Sequence, residues 1–187
     1  TTSGSTSVAV GGNDGIIAWG RWTDGVTGGD GELANYGLFG NAGALHYVVG
    51  LPATSIPTSG TGTYSMLPGG ATAPTFSGNA TSASVVSSSI VVDFGQLTAA
   101  YHLSLTVNGA AMGTDPQNGM PLTLSGASLS SGAIQSLPVT GPFSVAQIRV
   151  SGFLAGDGAV RAGAGYYITG SGGAFGEIAG VIAYRKN

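Results

Sequence analysis

A period-two alternation of glycines against aromatic rings limits most strongly what this chain can fold into. In RAGAGYYIT, residues 161–169, one parity holds Gly163, Gly165 and Tyr167, and the other Ala162, Ala164 and Tyr166. Successive side chains of a strand point to opposite faces, so such a strand offers bare backbone beside a bulky ring. FGEIAGVIAYRK, residues 175–186, repeats the scheme with Gly176, Ile178, Gly180, Ile182 and Tyr184 on one parity. A flat, exposed strand this rich in glycine would pair in poor register. In a sheet that curls, the same glycines leave room for rings from the next strand and let the backbone bend where the sheet shuts.

The rest of the chain agrees. No window of a dozen residues carries a 3.6-residue apolar period free of Gly, Pro or β-branched runs. Short Val/Ile/Thr/Tyr/Phe-rich runs recur between Gly/Ser/Asn/Asp/Pro clusters. Strands are expected at 16–23, 45–50, 61–67, 84–94, 99–108, 120–124, 145–154, 161–169 and 175–186, with SVAV (Ser7 to Val10) as a further one. The segments between them, among them PGGATAPTFSGNA, NGAAMGTDPQNG and SGAIQSLPVTGP, read as loops too short for a crossover helix, so the sheet is expected to be antiparallel. The fold class expected is all-β: a single antiparallel up-and-down β-barrel of about eight strands, with a sandwich as the other way to cover such a sheet. Residues 1–13 read as an extended segment able to act as a pairing strand, and residues 14–187 as the barrel domain.

Composition removes several classes of function. Charged residues are only 7% of the 187 and net charge is −3, so five scattered Lys/Arg cannot build the basic stripe that nucleic acid requires. With 42% hydrophobic residues the chain is not of disordered composition. Cysteine is absent, which removes disulfides and thiolate chemistry. No run approaches the roughly 18 apolar residues of a spanning helix, so no transmembrane segment is expected. The positive mean hydropathy, +0.30, raises a membrane barrel as an alternative, but small residues prevail and charge is scarce on both parities, unlike a barrel with a polar lumen.

The run Gly152-Phe153-Leu154-Ala155-Gly156, then Ala159, Gly163, Tyr166 and the closing Ile178-Ala179-Gly180-Val181 with Arg185-Lys186, resembles the last three strands of the barrel domains of transferrin-binding protein B and its relatives. Such barrels also occur at the C-terminal end of some FecR-type regulators. WGRW (Trp19 to Trp22), HYVVG (His46 to Gly50), SGTGTYSML (Ser59 to Leu67) and VVDFG (Val91 to Gly95) look like the same barrel type. The resemblance implies an eight-stranded barrel on the surface or in the periplasm of a Gram-negative bacterium, without enzymatic activity. It does not carry over a transferrin site, which lies largely on loops and on a companion domain.

The candidate site residues are few. IIAWGRW puts Trp19 and Arg21 on one face and Trp22 on the other, so one indole is expected to fill the core while the other is more exposed, and an exposed Trp beside Arg is typical of binding hot spots. His46 joins Trp19, Arg21 and Trp22 as a ligand-binding candidate. His102, with Ser104 and Thr106, falls on a polar face opposite Tyr101, Leu103, Leu105 and Val107. Two imidazoles lacking further ligands do not make a metal site. Asp14, Asp24, Asp30 and Glu32 follow no calcium-loop spacing. Asp93 and Glu177, which interrupt apolar strands, read as inward charges guarding an edge. Serine is abundant without a nucleophile elbow, so no catalytic residue and no cofactor is expected.

Two functions follow. The first is a non-enzymatic extracellular, cell-surface or periplasmic module that binds a protein or small ligand through its loops or barrel mouth. The second is a structural subunit that assembles with copies of itself into a filament or layer through its N-terminal strand, with Thr6, Ser7, Val8, Ala9 and Val10 as the assembly residues.

Overall fold

The computed structural model describes residues 2–3, 7–23, 26–27, 44–132, 135–137, 146–170 and 176–187. Its strands begin with β1 (Thr2–Ser3), β2 (Ser7–Asn13), β3 (Ile17–Thr23), β4 (Val26–Thr27), β5 (Leu45–Gly50), β6 (Thr61–Ala71), β7 (Thr75–Phe76) and β8 (Ala83–Asp93). They continue with β9 (Thr98–Val107), β10 (Ala110–Gly113), β11 (Met120–Ser125), β12 (Ser128–Ser130), β13 (Gln135–Leu137), β14 (Ala146–Ala155), β15 (Arg161–Gly170) and β16 (Glu177–Lys186). No helix occurs among the described residues.

Eight strands close into a ring in the order β6, β8, β9, β11, β12, β14, β15, β16 and back to β6, every pair antiparallel. This is the expected up-and-down barrel. β8 and β9 pair from Ala83↔Val107 to Asp93↔Thr98, and their turn is held by Asp93, whose Oδ1 accepts the amides of Gly95 and Gln96. The turn from β9 to β10 is the two-residue Asn108-Gly109, both at positive φ (49° and 79°), as a tight hairpin requires. Asp93 and Glu177 do not point inward, as the sequence reading had them: their neighbours Val92 and Ile178 fill the interior, so both carboxylates take the outer parity.

Three ring positions are composite. β9 meets β11 along its first half and β10 along its second. β14 likewise meets β12 and β13, and β16 meets β6 and β7. The segments containing β7, β10 and β13 read as loops from sequence, because pieces of two to four residues are too short to show alternation. Between Ile182↔Ala71 and Tyr184↔Met66, β16 advances two residues while β6 advances five, so β6 bulges out of the wall at Leu67 to Gly70.

Burial inside the ring follows the strand period. β9 alternates from the buried Tyr101 through Leu103 and Leu105 to Val107, and β11 buries Met120, Leu122 and Leu124. The intervening Ser104, Thr106, Thr123 and Ser125 face outward. An apolar, filled interior with Ser/Thr outside is the reverse of a membrane barrel's arrangement. Glycine and ring meet across strands: Tyr166 pairs with Gly180, and a Cβ at Gly180 would stand 2.7 Å from the Tyr166 Cζ.

β3 and β5, expected among the ring strands, lie outside it. With β2 they form an antiparallel sheet in the order β2, β3, β5, and β1 and β4 form a separate two-stranded pair. Ile17, Trp19, Leu67, Val181 and Ala183, joined by Val48 and Phe153, form a second apolar cluster between this sheet and the ring. It explains why β16 is buried on both parities. Gly163 lets the sheet approach, since a Cβ there would lie 2.7 Å from Val48 Cγ2.

Replacing Gly180 by Val should overpack the interior against the Tyr166 ring and cost roughly 1–3 kcal/mol. Gly126→Asn, at a turn glycine with φ of 57° and open space around it, should be close to neutral. Urea denaturation of the two variants checks the contrast, and equal losses would refute the ring-over-glycine account.

Candidate functional site

The four residues singled out as ligand-binding from sequence all lie on the small sheet, divided between its two faces. In the β3–β5 register, Trp19 stands opposite Val48, Arg21 opposite His46, Gly20 opposite Tyr47 and Trp22 opposite Leu45. Alternation therefore turns Trp19, Arg21 and His46 toward the ring, and Trp22 and Tyr47 away from it.

The ring-facing group is a junction. Trp19 is only 5% exposed, and its Nε1–H donates to the Gly69 carbonyl at 2.9 Å, within the bulge of β6. Its indole lies over Gly12 of β2, where any Cβ would collide with it. Arg21 donates from Nη1 to the Ala73 carbonyl at 3.1 Å. His46 is wedged between two hydroxyls, Nδ1 at 2.7 Å from Thr72 Oγ1 and Nε2 at 3.0 Å from Thr75 Oγ1. Thr72 Oγ1 already accepts from the Val181 N–H at 3.1 Å. The Thr72 hydroxyl also reaches the Val181 carbonyl at 3.4 Å, and a neutral imidazole bridges the two threonines as donor through one ring nitrogen and acceptor through the other. Burial, and then the neighbouring Arg21 cation, push the His46 pKa down to about 4.

The outward face differs in kind. Trp22 and Tyr47 pack with ring centroids 5.0 Å apart and planes tilted by 40°. Tyr47 lies across Gly20, where a Cβ would stand 2.5 Å from its Oη. Beside them Val49 is 57% exposed and Leu51 56% exposed. The result is an aromatic and aliphatic strip with no charged side chain among these four residues. Tyr47, Val49 and Leu51 were not singled out from sequence, although LHYVVGL places them on one parity with Leu45 and so held the signal.

The other candidates fall elsewhere. His102, Ser104 and Thr106 are half-buried on the outer parity of β9, as the alternation predicts. Asp14 pairs with Arg161 at the start of β15 and accepts the amides of Ile16 and Ile17. Asp24, Asp30, Glu32 and Thr6 lie outside the described residues. Among those described, no three His, Cys, Asp or Glu gather as metal ligands, and no helix is long and apolar enough to cross a membrane. The backbone of Ser7 to Val10 is in β2, which pairs with β3 of the same chain.

The chain is thus a closed eight-stranded antiparallel barrel with a strand layer on its flank. Its fold is similar to that of a double mutant of the vaccine antigen transferrin binding protein B from Haemophilus parasuis, with a TM-score of 0.51 over 99% of this chain at 14% identity. The match takes in 37% of that longer chain. No family model and no curated protein sequence matches.

Because His46 is held neutral in the fold and titrates near 6.5 when unfolded, its contribution to stability is complete above that value and falls away as pH drops from about 6.5 toward about 4. The loss should amount to roughly 2–4 kcal/mol. His46→Gln should flatten this part of the pH profile, measured as urea midpoints between pH 7 and pH 4.5. An unchanged profile would show that the imidazole does not act as described.

Proposed function

We propose that this chain is a non-enzymatic binding module, presented outside the cytoplasm at the surface or in the periplasm of a Gram-negative bacterium, that recognises a protein partner through its outer surface. The observation that carries this reading is where the side chains went. The tube is filled by its own residues, with Tyr64, Tyr101, Tyr166 and Tyr184 at 3% exposure or less. A small ligand in the barrel interior is therefore disfavoured, while the Trp22–Tyr47–Val49–Leu51 strip stands on a rigid scaffold. Aromatic anchors of this kind are enriched at the centres of protein interfaces. An uncharged strip on a chain with so little charge suits a partner surface that is apolar and uncharged as well. The likeness to a protein whose name records transferrin binding supports recognition as the class of activity; it does not name this chain's partner.

The filament reading has less behind it. It needs the N-terminal strand to pair with a neighbouring subunit, and Ser7–Asn13 already pairs along one edge with β3 of its own chain.

The test is a binding comparison using purified candidate surface and secreted proteins with the wild-type chain, Trp22→Asp and Val49→Asp. A partner seated on the strip should lose at least about tenfold in affinity with either variant. Undiminished binding by both would move recognition elsewhere on the molecule. Sedimentation of the protein alone distinguishes self-association, which would favour the filament reading.

A further inference from the structure

Four tyrosines turn into the ring, and only part of their hydrogen-bonding capacity is met by protein. Tyr64 donates from its hydroxyl to the Ala159 carbonyl at 2.7 Å. Ser88 donates its single hydroxyl proton to the His102 carbonyl at 2.6 Å, and its oxygen lies 2.8 Å from Tyr184 Oη. With the serine proton committed, Tyr184 must be the donor in that pair. The chain from Tyr184 through Ser88 to His102 thus has one direction, and Tyr184 Oη retains only lone pairs to offer.

Tyr101 Oη and Tyr166 Oη are buried with no hydrogen-bond partner. Their side chains are 0% and 3% exposed. Tyr184 and Ser88 come near the Tyr101 hydroxyl without meeting hydrogen-bond geometry. Burial raises the pKa of Tyr166 and Tyr184, and the neighbouring Tyr101 raises both further, so the three phenol oxygens sit within electrostatic reach of one another. One bare hydroxyl in a core is costly, and two beside a third with spare lone pairs form a donor and acceptor set.

We propose that Tyr101 and Tyr166 bind one internal water molecule. The water accepts from the Tyr101 and Tyr166 hydroxyls and donates to the lone pair that Tyr184 keeps. These are three hydrogen bonds, the usual number for a buried water. The site takes a single small molecule that is both donor and acceptor, because the surrounding Ile, Leu and Val side chains fill the rest of the tube. The glycine at position 180 serves the same site, since any side chain there would displace the Tyr166 ring.

The experiment compares wild type, Tyr101→Phe, Tyr166→Phe and the double variant by oxygen-17 magnetic relaxation dispersion of solvent water and by thermal unfolding. Wild type should show one more long-lived water than either single variant. Each single change should lower Tm by about 2–4 °C, and the double by less than the sum, because both hydroxyls serve one molecule. An unchanged dispersion amplitude in both single variants overturns the proposal. So does a rise in Tm for each, which is what removing an unsatisfied hydroxyl produces. If circular dichroism shows one single variant unfolded, the other carries the test.

Discussion

A ring of eight strands encloses just the volume that its own inward side chains can fill, and this chain meets the constraint by setting rings against bare backbone. Tyr166 over Gly180 is the clearest case. Without that vacancy the ring would push β15 from β16, and the closing pair of β16 with β6 would lose its register. The composite positions follow from the same demand. Where one continuous strand is interrupted, as at β6 and β7 or β12 and β13, two short pieces complete the hydrogen bonding of an unbroken neighbour.

The interruption in β6 also gives the molecule its second layer. Residues released from the wall at Leu67 to Gly70 provide an apolar side chain and a free carbonyl, and Trp19 takes both. His46 and Arg21 continue the seam along Thr72, Ala73 and Thr75. One face of the small sheet is thereby spent on the ring, which leaves Trp22 and Tyr47 on the other. The ring thus carries the small sheet on its flank, with Trp22 packed against Tyr47 on the face turned away from it.

Much of the barrel was legible in the chain. Alternation through YHLSLTV, Tyr101 to Val107, placed inward and outward residues correctly because one face is buried and the other wet. Short pairing pieces were not legible, since two residues such as Thr75 and Phe76 carry no period. Alternation in IIAWGRW did separate Trp19 and Arg21 from Trp22, but did not tell which face meets the ring: only the partners of Trp19, Arg21 and His46 on residues 69–75 show them to be a seam.

The amino-acid order by itself determined an antiparallel β fold and favoured closure over a sandwich, because glycines alternating with aromatic rings leave room for rings from the next strand in a chain this poor in helix signals. Which strands belong to the ring, which lie on its flank, and which indole faces outward were decided only in three dimensions. Those outcomes depend on contacts between residues some 50 positions apart, such as Trp19 and Gly69, and local alternation carries no information about them.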